Sequence, residues 1–287
     1  MTVSDVELAT LATAHDIINL GMLADGERRR RHAVRTTFVR VETMSADPAA
    51  LPGAPLRLAP AAGELRIEGT PSSRAEALDR VREAAAIAGP VPLSGYSLAD
   101  LEQLAAREKV TLRALLEDLR AAGLELIAEA PVDLLQSARH AIEEVNIAGL
   151  TLGRLTVLRL QDPNMIALFK SVVELRRQVG VVRAFAPLPR TMNPAVPTTG
   201  YEDVKRIALA RLIVDNVPSI QVDWSLYGPK LAQVALTVGA DDVDGVSAED
   251  DMGEGRRRAP LEEIRRNIVG AGQDPAERNG RFDLVSS

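Results

Sequence analysis

Between Thr36 and Pro187 the chain repeats one unit: a short apolar or β-branched run, a turn, and a helix that stops at glycine. The runs "TTFVRVETM" (36–44), "ELRIEG" (64–69), "VPLSGYS" (91–97), "LELIAEA" (124–130), "LTVLRL" (155–160) and "VVRAFAP" (181–187) read as strands. Between them, residues 73–89, 98–107, 111–122, 132–149 and 164–180 carry apolar residues at helical spacing. Strands that alternate with helices require parallel pairing, because the chain must cross back before each new strand. Six such strands before residue 190 fit a barrel better than a two-domain sheet. The expected fold class is α/β: a parallel (β/α) TIM-like partial barrel with a C-terminal α/β extension. In that architecture a site lies at the C-terminal ends of the strands.

The remainder fits one domain over residues 1–287: N-terminal helices in 1–35, the partial barrel in 36–190, and an extension in 191–287 that closes it. Residues 45–63, rich in Pro, Ala and Gly, read as a loop. In the last third, residues 198–216 read as a helix with Thr199 as N-cap and Glu202 and Asp203 in its first turn. A strand follows at 220–225, then helices at 228–240, with Pro229 in the first turn, and at 259–272.

Composition excludes several functions. The formal charge of −6 argues against nucleic acid as the main partner. The run Arg28–Arg31 offers a phosphate or acidic-partner site, or a solvated helix end suited to the macrodipole; we favour the helix end. No 18-residue apolar stretch and no signal-peptide pattern are present, so the expected location is the cytoplasm, without a membrane span. There is no cysteine, hence no disulfide, no thiolate nucleophile and no cysteine-held metal or iron–sulfur centre. His15, His32 and His140 form no metal-ligand pair.

The strand-end positions that carry chemistry are Glu68, Glu129, Asp162, Arg183 and Asp223, with Glu68, Glu129 and Asp162 as candidate acid–base residues. The bland alternative pairs Glu68 and Glu129 with arginines such as Arg66, Arg159 or Arg183. Arg183, Asn193, Asp223 and Trp224 are candidate ligand contacts. Trp224 either stacks on a purine or packs in the core; Asn193 either meets a ligand or caps the turn at Pro194. "GADDVDG" (239–245) raises a metal question. Set in a calcium-loop frame, its first ligand position falls on Ala240 and its last on Asp251, which misfits, so we expect a structural turn held by Asp side chains.

Four pieces in order, "TGYEDVKRIALARL", "VDNVPSI", "GPKLAQVAL" and "GADDVDG", resemble the C-terminal region of aminofutalosine synthase and dehypoxanthine futalosine cyclase, radical S-adenosylmethionine enzymes of the futalosine route to menaquinone. The deazaflavin-cofactor synthases resemble them more distantly. "FAPLPRTMNP" (185–194), "HDIINLGMLADGERRRRH" (15–32) and "LEQLAAREKVTLRALLEDLRAAGLE" (101–125) extend the likeness over most of the chain.

The departures are specific. Where the family carries C-x-x-x-C-x-x-C after its first strand, this chain has "SADPAALPGAPLRLAPAAG" (45–63). The family's glycine-rich turn after the second strand is "EGTPSS" here, its glycines after the fourth are "AEAPVD", and its Gly-His after the fifth is Gln161-Asp162. The resemblance therefore implies a cluster-less relative: the iron–sulfur cluster and the S-adenosylmethionine site of the family are expected to be lost, and no other cofactor or metal is expected. A non-catalytic binding or partner protein of the futalosine pathway follows, with a cysteine-containing homologue or a futalosine-like nucleoside as its partner. The alternative is an enzyme of non-radical chemistry acting on such a nucleoside at the barrel mouth.

Overall fold

A computed structural model describes residues 16–50, 57–159, 165–191, 200–250 and 259–285. After helix α1 (Ile17–His32), strand β1 (Arg35–Ser45) opens the sheet, followed by β2 (Glu64–Glu68), α2 (Arg74–Ala88), β3 (Leu93–Ser97), α3 (Leu98–Arg107) and α4 (Leu112–Ala122). Then come β4 (Leu126–Pro131), α5 (Ala138–Ile147), the short β5 (Thr151–Leu152) and β6 (Leu155–Val157), α6 (Met165–Val179) and β7 (Ala184–Pro189). The last third supplies α7 (Gly200–Ile213), β8 (Ser219–Asp223), α8 (Trp224–Thr237), β9 (Asp242–Ser247), α9 (Pro260–Gly270) and β10 (Asp274–Arg278).

All pairings between these strands are parallel, and the sheet closes on itself. β5 and β6 pair in turn with β4 and occupy one strand position, interrupted at Gly153, where an added Cβ would lie 2.8 Å from the Ala128 carbonyl oxygen. Closure comes from β1 and β9, which pair over Thr37–Val41 and Asp242–Ser247. The expected parallel TIM-like architecture is thus a closed eight-position barrel. β1 is long enough to take a second partner on its other edge. Its first half pairs with β10 and its second half with β2.

Local signals set the helix ends. In α2, Ser73 caps the Glu76 N–H at 3.2 Å, and Gly89 at φ +55° ends the helix. Thr111 caps α4 in the same way, and Gly123 ends it at φ +115° with no room for a Cβ beside Ala85. The helix expected from residue 132 starts only at Ala138. The Asp133 carboxylate instead accepts the Leu158 and Arg159 N–H groups at 2.8 and 2.9 Å, tying the β4 exit to β6. The strand expected over 220–225 ends at Asp223, whose side chain accepts the Leu226 N–H, so Trp224 opens α8. In the arginine run, Arg29, Arg30 and Arg31 pair with Asp25 and Glu27 on the same helix, but Arg28 is buried and donates to the Ala33 carbonyl as well as to Asp25. Arg31 also donates to the Asp215 carbonyl at 2.8 Å, so two members of that run are structural.

The hydrophobic core lies between barrel and helices, built from Leu, Ile, Val and Ala with one edge-to-face aromatic pair, Phe169 and Phe185, at 5.7 Å. Each fully buried Leu, Ile or Val there contributes about 1.5–3 kcal/mol by transfer from water. Among the described residues no helix is long and apolar enough to cross a membrane.

Candidate functional site

The interior of the barrel is charged. In β2 Leu65 and Ile67 belong to the surrounding core, while Glu64 and Arg66, the alternate residues, are bonded to one another. β8 alternates Ile220 and Val222 with Gln221 and Asp223, and β9 alternates Val243 with Asp242 and Asp244. In a parallel barrel both faces of a strand are buried, so these polar positions must satisfy one another. They do so across the lumen. Arg66 holds Asp244 through two bonds of 2.8 and 2.9 Å and Glu64 through a third of 2.8 Å. Arg154, at the β5–β6 break, also pairs with Asp244, and Ser94 donates to Glu64. Deeper in, Arg278 grips Asp242 with bonds of 2.6 and 2.7 Å, and Gln221 Nε2 donates to the same carboxylate at 2.6 Å.

Towards the mouth, Arg190 bridges Glu129 at 2.7 Å and Asp223 at 2.8 Å. Asp223 also accepts from the Ser225 hydroxyl and the Leu226 N–H, so it caps α8 while closing the ion pair. A cavity of about 290 Å³ opens here, lined among others by Arg66, Glu68, Tyr96, Asp100, Glu129 and Arg154. That volume is at the small end of ligand pockets. Glu68 stands exposed on its rim.

These contacts fix the charge states. Burial drives the Asp244 carboxyl upward, but Arg154 and Arg66 outweigh it and hold the group far below the usual carboxylate range. Asp223 is raised by burial and by Asp244, yet Arg190, Arg154 and the Ser225 hydroxyl leave it below its ordinary value. Burial lowers Arg154, with Arg66 adding to that effect, while burial also pushes the Tyr96 phenol upward. Asp244 and Asp223 are therefore ionised at neutral pH and engaged with guanidinia, which suits them poorly to accept or deliver protons.

The candidate residues distribute unevenly. Glu68, Glu129 and Asp223 do converge on the mouth, as their strand-end positions require. Glu129 pairs with Arg190 and lies 3.9 Å from Arg154, rather than with Arg66, Arg159 or Arg183. Trp224 is half-buried against the core. Arg183 is a correction: it precedes β7 and sits at the opposite, N-terminal end of the barrel, where it donates to the Arg281 carbonyl at 2.6 Å. Asp162 and Asn193 lie outside the described residues.

"GADDVDG" is a second correction. Residues 239–241 lead out of the turn after α8, and the last barrel strand takes up the run from Asp242. Asp241 pairs with buried Arg211 and accepts the Ile220 N–H at 2.8 Å, Asp242 holds Arg278, and Asp244 holds Arg66 and Arg154. Each carboxylate serves a buried arginine. Among the described residues, no three His, Asp or Glu side chains are grouped as metal ligands. The residues of the lumen also do not fit an iron–sulfur cluster. The chain has no thiol, and carboxylates and guanidinia are hard or cationic groups that do not replace thiolates on iron–sulfur centres. The arginines Arg154, Arg190 and Arg278 escaped the sequence reading; alternation of charged and apolar residues within "ELRIE" and "SIQVD" signals a charged strand face but contains none of the three.

Residues 187–286 match the family model described as the CofH/MqnC C-terminal region. The chain is 39% identical over 94 residues to the aminodeoxyfutalosine synthase of Streptomyces coelicolor, covering 30% of this chain and 24% of that protein. It is 27% identical over 211 residues to the cyclic dehypoxanthine futalosine synthase of the same organism, covering 64% of this chain and 52% of that protein. The matches thus span about a quarter to about half of these relatives' lengths. In fold, the crystal structure of methylornithine synthase (PylB) superimposes with a TM-score of 0.67 at 13% identity, over 96% of this chain and 95% of that one. Residues 187–286 therefore match the CofH/MqnC C-terminal region, and the chain, which has no cysteine, is similar over part of its length to an aminodeoxyfutalosine synthase and a cyclic dehypoxanthine futalosine synthase.

Proposed function

We propose that this protein is a cluster-less, non-catalytic homologue of those enzymes, acting as a binding or partner protein in the futalosine pathway. The observation that carries the reading is the interior of the barrel, where Arg66, Arg154 and Asp244 are all under a tenth exposed and bonded to one another. These side chains fill the lumen beneath the mouth cavity and hold one another there. The candidate acid–base residue Glu129 and the nearby Asp223 share one arginine, Arg190. Neither the iron–sulfur cluster nor S-adenosylmethionine has a part in this reading, because no thiolate is there to hold the cluster. The partner is a cysteine-containing pathway homologue or a futalosine-like nucleoside.

A thermal-shift screen with aminofutalosine, dehypoxanthine futalosine and S-adenosylmethionine, alongside co-purification with the cysteine-containing homologue, tests the proposal. Capture of the homologue, or a shift with a nucleoside and no turnover of it, supports the reading. A ligand at 100 times its Kd adds about 2.7 kcal/mol. Turnover of a nucleoside that Glu68→Gln abolishes would replace it with the second reading, an enzyme of non-radical chemistry. Glu68 favours that alternative, as an exposed carboxylate on the mouth cavity with no arginine assigned to it.

A further inference from the structure

A larger cleft, about 510 Å³, lies at the other end of the barrel. One wall is the N-terminal rim: Leu124, Leu126 and Leu152, with Arg120 and Arg183. The other is the C-terminal tail. Asn279 folds that tail by accepting the Arg281 and Asp283 N–H groups at 2.8 and 3.0 Å, and Gly280 N–H donates to the Gly63 carbonyl at 3.0 Å. Phe282 adopts φ +66°, a conformation disfavoured for a bulky residue, with its ring 3.9 Å from the Arg278 guanidinium. The tail is thus held in a defined shape, and its aromatic ring forms part of the cleft.

The charges lining this cleft do not cancel. Arg281 is neutralised by Glu125 through two bonds of 2.9 Å. Among the described residues, the Arg183 side chain meets only a backbone carbonyl, and the Arg120 side chain has no hydrogen-bond or ion-pair partner. Against these two guanidinia stands one carboxylate, Asp283. Arg120 lies in the last turn of α4, where the helix dipole favours a cation. That accounts for Arg120 alone, since Arg183 is on no helix. We propose that this cleft is a second binding site, for a small organic anion whose phosphate or carboxylate bridges Arg120 and Arg183 and whose apolar body rests against Phe282 and the leucines. This assignment is independent of any function at the mouth.

Isothermal titration at low ionic strength with phenyl phosphate, phenylacetate and inorganic phosphate tests it. Phenyl phosphate should bind more tightly than inorganic phosphate, because only the former has a body for the apolar wall; phenylacetate shows whether a carboxylate serves as well. Arg120→Ala, which removes no hydrogen bond or ion pair of the fold, should weaken phenyl phosphate roughly tenfold, the usual scale for a charge-assisted pair. Arg183→Lys keeps the charge but loses the fork, and should weaken it less. No heat with any probe at about 10 mM, a concentration that reaches even very weak sites, would overturn the proposal. So would an affinity that Arg120→Ala leaves unchanged, since the anion would then lie elsewhere.

Discussion

Arg66 and Arg154, inside the barrel, are each 4% exposed and share one carboxylate, whereas Arg120 and Arg183, at the N-terminal rim, stand in solvent and share none. The same residue type does opposite work in the two places. A guanidinium removed from water must be matched, because an unpaired buried charge costs several kcal/mol. A guanidinium at a rim is solvated and can remain uncommitted, which leaves it open to an outside partner. Buried arginines, in the lumen and on the helices as at Arg28 and Arg211, are therefore found with carboxylates, while the side chains of Arg120 and Arg183 at the rim are not.

The largest effect should come from the shared carboxylate. Asp244→Ala leaves Arg66 and Arg154 facing each other, and should remove about 3–5 kcal/mol of stability, read by urea unfolding. A cost below about 1 kcal/mol would break the contrast, since Asp244 would then behave like a surface charge. Replacing the set together, Glu64→Gln and Arg66→Met with Arg154→Leu and Asp244→Leu, should be neutral or stabilising if packing is kept, which separates the worth of the ion pairs from the penalty of orphaning their members.

Acid is next. Asp244 and Asp223 titrate below their ordinary range when folded, so protons bind the unfolded chain more readily. Their contribution is fully present above the unfolded value near 4 and is lost as pH falls through the lower folded values. We expect about 2–3 kcal/mol to disappear between pH 5 and pH 2, measured by unfolding midpoints across that window. His32 adds a smaller slope at higher pH. Burial lowers it despite Asp241 nearby, so stability should ease downward below about pH 6.5. A flat midpoint from pH 5 to pH 2 would deny the lumen its electrostatic role.

Gly239→Ala should cost about 1–3 kcal/mol, because φ is +119° and the new Cβ would meet Arg211 Cβ at 2.8 Å. Smallest of all, Arg120→Ala should change stability by no more than about 0.5 kcal/mol, as expected at an exposed site without partners. A large loss there would mean that the rim arginine is part of the fold after all, and the distinction between the two ends would fail.

Much of this was legible in the chain. Periodic strands and helices with glycine stops placed β1 to β4, β6 and β7 in order but missed the two-residue β5, and the absence of cysteine excluded thiolate donors before any coordinates. "GADDVDG" misled, because three acids among glycines are typical of a turn when read alone. In the barrel, Asp242 and Asp244 are shielded from water and face Arg278, Arg66 and Arg154, which lie more than 30 residues away in sequence, so the run extends as a strand. Arg183 misled for a related reason: a residue beside a predicted strand is assigned to one end or the other by a shift of two or three positions.

By itself the sequence determined the βα repeat, the kinship of its last third, and the lack of any thiolate, since periodicity, motif order and residue type are local properties. Only the tertiary structure decided which charges meet. Barrel closure through β1 and β9 brings Glu64, Arg66, Arg154, Asp242, Asp244 and Arg278 into one buried lumen, and ion pairing there is set by distance in space, which no spacing along the chain records.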